Sequence, residues 1–340
     1  MEAHAPTALT HPERRSPVAR MGGSARKRPA LVLLGLLALI AAVLVGFHGL
    51  QDVAQRTVNG TVSGSYYALG AVGLTLVYGI LKLVNFAHGD MLTFGAYIAF
   101  AFNVSIGMPI LPAILIAVAA TAALGVSFEL TLWRPMRKKG AGLLQLLLMT
   151  IGLAFVIRNT IQLFASTEQR VLDVDRTSTV EFIGLRIGET QLMVVLTGVV
   201  VLALIALMLK LTSLGRQMRA LSDNFALAET TGIDTNRIVI VTWVFAGGLA
   251  GLAGVLYAAA IGSFTPNLGF FLLLSLFAAV ILGGIGNAYG ALIGGLVLGV
   301  AQEWSTLLFE SRWKLAVGFV ILILVLVVRP QGLFGREQKI

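Results

Sequence analysis

The sequence predicts an all-α polytopic membrane protein with about ten transmembrane helices and both termini cytoplasmic. Three observations carry that expectation. Hydrophobic residues make up 57% of the 340-residue chain and its mean hydropathy is +0.89, more apolar sequence than a soluble core needs. Only 12% of residues are charged, about half the usual soluble share. Lys and Arg gather in the N-terminal tail and in alternate loops, the pattern that orients helices in a bilayer. That placement accounts for much of the net charge of +9 and points away from a nucleic-acid partner. The chain has no Cys, which excludes a disulfide framework and a thiolate metal site.

Residues 1–29 are rich in Pro, Ala and Arg, with Arg14, Arg15, Arg20, Arg26, Lys27 and Arg28 against Glu2 and Glu13. They read as a disordered basic cytoplasmic tail. An extra N-terminal span over residues 30–50 follows, with its apolar run from Leu31 to Leu50. A basic segment ahead of an apolar run also fits a secretory signal. The run is long enough to span, however, and no clear small-x-small site follows, which favours an uncleaved helix. Gln51 to Asn59 then emerges outside. Further spans are expected near 60–82, 91–107, 110–132, 143–165, 191–210, 238–261, 270–285, 289–307 and 313–328, each about 20 residues long. Interior loops then hold Arg134, Arg137, Lys138 and Lys139, the stretch 210–237, and a tail with Arg329, Arg336 and Lys339. The longest exterior loop, Ser166 to Thr190, has Glu168, Asp173, Asp175, Glu181 and Glu189 against Arg170, Arg176 and Arg186. The positive-inside rule holds throughout.

The loop 211–237 stands out in this apolar background. Ser222 or Asp223 can cap a short helix, Asp223–Thr231, and Gly232 is a natural residue just past its end. Leu221, Phe225 and Ala228 fall at i, i+4 and i+7, a small apolar stripe on a polar helix. Lys210, Arg216, Arg219 and Arg237 flank it and place it in the cytoplasm. A capped, one-sided helix between two spans suits docking. The alternative is a solvated loop with one helical turn.

Two other stretches break the apolar pattern. In Leu83 to Tyr97, the residues Asn85, His88 and Asp90 surround Gly89 between two spans, on the inner side. Polar breaks of this kind line transporter cavities, because freed backbone groups need polar surroundings. The alternative is an interfacial turn touching headgroups and water, and a lone His there is no metal site. In Gly283 to Gly299, Gly286, Gly290 and Gly294 form GxxxGxxxG, which clears one helix face for close packing. Glu129 and Lys82 sit near interior span ends and can snorkel. Arg158 and Glu303 lie deeper, in the outer half, where a mutual ion pair or a watered pathway would offset their desolvation; the alternative is that Glu303 sits at the outer interface and Arg158 snorkels alone. No chain of carboxylates crosses the spans, which weakens an ion-coupled carrier acting alone. No GxxxxGK[ST] is present, so the chain is not an ATP-hydrolysing subunit.

Four blocks strongly resemble the LivH-type permeases of bacterial branched-chain amino-acid ABC importers. They are YALGAVGLTLVYGILKLVNFAHGDMLTFGAY (Tyr67 to Tyr97), LGRQMRALSDNFALAETTGIDTNRIVIVTWVFAGGLAGLAGVLYA (Leu214 to Ala258), AVILGGIGNAYGALIGGLVLG (Ala279 to Gly299) and RPQGLFG (Arg329 to Gly335). The resemblance spans a permease domain over residues 58–336 and leaves residues 1–50 outside it. It implies a transport subunit of an ATP-driven importer rather than an enzyme, with no cofactor and no catalytic residues. It also implies a second permease subunit of the LivM type, two cytoplasmic LivF/LivG-like ATPases and a periplasmic substrate-binding protein, in the bacterial inner membrane. The segment Ala228-xxx-Gly232 resembles the loop that docks on the ATPase, so Leu221, Phe225, Ala228, Glu229 and Gly232 are the expected contacts. Asn85, His88, Asp90, Arg158 and Glu303 are the expected path residues. Closely similar permeases carry urea, short amides or other amino acids, so the resemblance leaves the substrate open.

Overall fold

A single glycine separates the first two helices. The structure, a computed structural model, describes residues 29–182, 184–329 and 331–335. The basic tail expected over residues 1–29, apart from Pro29, lies outside the described residues, as do Arg336 and Lys339. Helix α1 (Pro29–His48) carries no charged residue, and its residues through Leu44 form a unit of their own. Gly49 ends it at φ 87° and ψ 160°, a conformation essentially confined to glycine.

From Val45 onward the chain forms a second unit. Helix α2 (Leu50–Leu81) runs for 32 residues, about 48 Å at 1.5 Å per residue. Gln51 to Asn59, expected as exposed linker, are its first turns, because no Pro interrupts them and their polar side chains bond the neighbouring loop. Helix α3 (Ala87–Phe100) continues through a π turn, Ala101–Ser105. Helix α4 (Ile110–Phe128) passes through a π turn, Glu129–Trp133, into α5 (Arg134–Lys138). There follow α6 (Leu143–Ala165), α7 (Glu189–Leu211), α8 (Ser213–Asp223), α9 (Phe225–Thr230) and α10 (Thr235–Ile261). The last three are α11 (Leu268–Gly283), α12 (Ala288–Ser305) and α13 (Lys314–Val328). Among the described residues, five stretches are long and apolar enough to cross a membrane: Leu50–Leu81, Ile110–Lys138, Leu143–Ala165, Glu189–Leu211 and Thr235–Ile261. Over their most apolar windows α2 is 83% buried and α10 78%, against 28% for the other three. Helices α2 and α10 are therefore the core of this unit, and the other three face outward.

The fold is not purely helical. Strand β1 (Arg170–Val171) pairs antiparallel with β4 (Ser263–Phe264), and β2 (Thr179–Phe182) forms a hairpin with β3 (Leu185–Gly188). The hairpin is tied to the start of α2. Gln55 donates to the Arg186 carbonyl (2.7 Å) and accepts from the Arg186 N–H (2.9 Å), and Gln51 donates to the Gly184 carbonyl (3.0 Å). Within the same loop the hydroxyls and amide N–H groups of Thr177 and Ser178 all bond Asp175, and these bonds hold its carboxyl below the usual carboxylate range.

Glycine sets the helix spacing. A Cβ on Gly299 would lie 2.3 Å from the Gly64 nitrogen, and one on Gly295 would lie 2.5 Å from the Ala68 nitrogen, so α12 and α2 touch backbone to backbone. Gly290 and Gly294 face the opposite way. Their Cβ positions fall 2.2 Å from the carbonyl oxygens of Gly283 and Ala279 on α11. Gly286 departs from the expected stripe. It precedes α12, in the turn at φ 84°, and a Cβ there would meet only the Gly79 Cα at 3.9 Å. Its role is turn conformation, because Asn287 caps α12 beyond it. Overpacking a site as tight as Gly299 costs about 1–3 kcal/mol or more. Gly299→Val should therefore lower the thermal midpoint of the purified protein by several degrees. Gly152→Ala on α6, where nothing lies within 4 Å of the added Cβ, should leave it unchanged.

Candidate functional site

The chain doubles back after α2. Lys82 closes that helix in the left-handed region (φ 53°), and residues 82–86 run non-helically until α3 begins at Ala87. His88 Nε2 then lies 3.0 Å from the Gly70 carbonyl. Gly70 is eleven residues before the end of α2, about 16 Å along its axis. The expectation of a turn at the inner ends of two spans is thus corrected: α3 starts deep beside α2. Glycines make room for this. A Cβ on Gly73 would stand 3.1 Å from the His88 ring, and one on Gly89 would meet the Gly269 carbonyl at 2.5 Å.

Asn85, His88 and Asp90 are all buried, at 1%, 0% and 1% exposure. A carbonyl only accepts, so the His88 nitrogen facing Gly70 carries the proton; the other, Nδ1, has no partner. Both amide atoms of Asn85 are likewise unpartnered. No side chain caps the start of α3. Asp90, in its first turn, binds Arg158 of α6 in a two-pronged pair, Nε to Oδ1 at 2.8 Å and Nη2 to Oδ2 at 3.0 Å. The guanidinium also lies 4.6 Å from the centre of the Phe270 ring. Thr150, two turns earlier on α6, donates to the Val84 carbonyl at 3.3 Å and so ties the returning segment to that helix.

Arg158 and Glu303 do not meet, so the mutual ion pair does not form, and neither charge stands alone. Each has a nearer partner. Glu303, 6% exposed on α12, takes Lys314 and, at 3.4 Å, the Ser63 hydroxyl. Beside it Tyr67 donates to Gln302 at 2.8 Å and Trp304 to Thr57 at 2.9 Å. Glu129 does not snorkel. It is 2% exposed and accepts from Arg137 and from the Trp243 indole at 2.8 Å. Breaking such a buried pair costs about 3–5 kcal/mol, because one charge is left without a partner. Among the described residues no cluster of His, Asp and Glu could hold a metal ion.

The loop 211–237 folds as two helices rather than one. Asn224, not Ser222 or Asp223, breaks the chain into α8 and α9 and caps α9, accepting from the Leu227 N–H at 3.0 Å. Leu221 therefore lies on a different helix from Phe225 and Ala228, and the expected stripe is split. Leu221 and Ala228 are buried, while Phe225 is 40% exposed and Leu227 61%; Glu229 is exposed. Gly232 has φ 84°, and the Ile233 N–H reaches back to the Ala228 carbonyl at 3.3 Å, closing α9 with a left-handed glycine. Lys82 joins this loop to the returning segment, its ammonium bonding the carbonyls of Gly79 (2.8 Å) and Ser222 (3.3 Å). Sequence reading missed Lys82 as a link, the Lys314 partner and the Tyr67–Gln302 bond. Their only signal was a polar residue at an apolar span's edge or face.

A Cβ at Gly232 would meet nothing within 4 Å, so substitution there acts through the backbone alone. Gly232→Val should destabilise α9 by about 1–2 kcal/mol and speed amide exchange over residues 225–230 roughly tenfold, with exchange in α10 unaltered.

The comparisons with known proteins identify the family. The family model described as branched-chain amino acid transport system / permease component matches residues 56–326. The permease protein BraD of a high-affinity branched-chain amino acid transport system from Pseudomonas aeruginosa is 34% identical over 297 residues, covering 84% of this chain and 96% of BraD. LivH of the corresponding system in Escherichia coli is 33% identical over 302 residues, with the same coverages. The ribose import permease RbsC of Escherichia coli is 28% identical over 317 residues, 89% of this chain and 92% of RbsC. With its long apolar helices and these relatives, the chain is a multi-pass membrane protein, and it belongs to the family of branched-chain amino acid transport system permease components.

Proposed function

We propose that the chain is the transmembrane permease subunit of a bacterial ATP-driven ABC importer for branched-chain aliphatic amino acids, in the inner membrane. The observation that carries this reading is the identity to BraD and LivH over nearly their whole length. The chain crosses the bilayer ten times with both termini cytoplasmic; α3, α11, α12 and α13 supply crossings shorter than the five long ones, and α1 is the extra first span. Its partners are a second permease subunit of the LivM type, two LivF/LivG-like ATPases and a periplasmic substrate-binding protein. Import needs no covalent chemistry. ATP binding and hydrolysis in the partners favour one membrane conformation over another through contacts that differ between the two states.

In this reading α8 and α9 dock on an ATPase through the exposed Phe225, Leu227 and Glu229. Leu221 and Ala228 anchor the same segment from within, and Gly232 sets its exit. Lys82 would carry a displacement of α8 to residues 82–86, and so to Asn85, His88 and Asp90. A non-helical segment at membrane depth is tolerated where it is buried in protein or lines a watered cavity, which supports the start of α3 as part of the path. Glu303, paired with Lys314 away from this point, is a packing residue.

Two measurements test the proposal. Cells lacking their own branched-chain transporters, given this gene with its neighbouring ATPase and binding-protein genes, should take up labelled leucine, isoleucine and valine. Uptake should vanish when the ATPase loses its phosphate-binding lysine; uptake that persists without ATP would overturn the importer reading in favour of an ion-coupled carrier. Cysteines placed at Thr177 and Lys138 in the Cys-free chain should react with impermeant reagents from opposite sides, Thr177 from the periplasm. Labelling of both from one side would sink the ten-span topology.

A further inference from the structure

We propose that the Asp90–Arg158 pair is a recognition site for the zwitterion of an α-amino acid. In the empty state the two side chains neutralise each other. When substrate enters they exchange each other for it, Asp90 taking the ammonium and Arg158 the carboxylate. This inference deepens the amino-acid import reading and rests on it.

Four observations point the same way. First, the pair is two-pronged and held at depth, with Asp90 1% and Arg158 13% exposed on the side-chain scale. A molecule bearing only one charge, or none, would leave at least one of these groups unpaired in a poorly hydrated place. A zwitterion supplies both complements at once, so the number of charged contacts is kept. Second, unused hydrogen-bonding capacity lies in the stretch of chain that leads to the pair. The two amide atoms of Asn85 and Nδ1 of His88 are buried without partners, although native structures rarely leave such groups unsatisfied. Asn85 precedes the start of α3, a helix of fourteen residues with no side-chain cap, and an uncapped helix start favours a carboxylate; the His88 ring is turned to Gly70 of α2 instead. Third, the Arg158 side of the pair approaches the exposed surface of α6. Arg158 is the less buried partner, and beside it Phe155 and Phe270 are 55% and 44% exposed; their rings lie 5.7 Å and 4.6 Å from the guanidinium. Those rings offer an aliphatic side chain an apolar surface next to the charges. Fourth, the pair is formed across helices, α3 to α6, and residues 82–86 lead into it from Lys82 and the Ser222 carbonyl. Motion at α8 therefore has a route to Asp90, through the Lys82 hydrogen bond and the chain that follows it.

The rival explanation is an ion pair that only holds α3 against α6. The two differ in what an uncharged replacement does. A merely structural pair can be exchanged for a neutral hydrogen-bonded one with little effect, whereas a zwitterion site loses its ligand. The test uses the full-length chain in lipid nanodiscs for binding and the complete importer in proteoliposomes for transport. The probes are L-leucine, 4-methylpentanamide and 4-methylpentanoate, which share the aliphatic chain but differ in charge. Saturation-transfer signals from the wild-type chain are expected for L-leucine and at least tenfold weaker for the other two. Asp90→Asn combined with Arg158→Gln should keep normal abundance and thermal midpoint, yet lose the leucine signal and at least tenfold in leucine uptake. Wild-type uptake by that double variant, or equal signals from the three probes, would overturn the site while leaving the importer reading intact. Absence of leucine uptake by the wild-type importer would overturn both. Should the double variant fail to accumulate, Asp90→Glu with Arg158→Lys keeps both charges and loses the two-pronged fit. It should raise the leucine concentration for half-maximal signal at least tenfold, and an unchanged value would also overturn the site.

Discussion

The arrangement around α3 depends on one hydrogen bond made far from the end of α2, from the imidazole of His88 to the carbonyl of Gly70. A helical carbonyl has a second lone pair free after accepting its own i+4 N–H, and a ring can reach it only where the helix surface is bare. Gly70 and Gly73 provide that surface, and a Cβ at Gly73 would already press on the ring. With His88 seated there, residues 82–86 must return along α2, and Asp90 is carried to the level of Arg158. Non-helical backbone at this depth needs protein around it, which α2, α6 and α11 supply.

The same need explains why α2 is long and bare. Its 32 residues bond the hairpin through Gln51 and Gln55 at one end and approach α8 through Lys82 at the other. Between them Gly64 and Ala68 meet Gly299 and Gly295 of α12 backbone to backbone. In an apolar surrounding, close van der Waals contact replaces the hydrophobic drive between helices. Helix α2 is therefore both the packing core and the path by which the two ends of this unit are connected.

Buried charge is handled by pairing at short range across helices. Asp90 has Arg158, Glu303 has Lys314 and Ser63, and Glu129 has Arg137 and the Trp243 indole. Asp90 differs because the segment that leads to it carries buried groups without partners, on Asn85 and His88. Under the zwitterion proposal, that difference separates the place where substrate binds from the places where helices are fastened.

The sequence by itself determined the elements. Apolar length, basic loops and turn glycines located nearly every helix within a few residues, because these signals are local and each helix satisfies its own backbone. It also marked Asn85, His88, Asp90 and Arg158 as residues needing a reason, since a polar side chain in an apolar run is visible one position at a time. Only the tertiary structure decided who meets whom. Asp90 and Arg158 are 68 residues apart, Ser63 and Glu303 are 240 apart, and no periodicity encodes such distances. It also decided that Asn224 splits the loop 211–237 into two helices, that Gly286 belongs to a turn, and that short strands close the loop between α6 and α7. Those outcomes follow from which surfaces face each other once the helices assemble, and a surface is a property of the assembled chain.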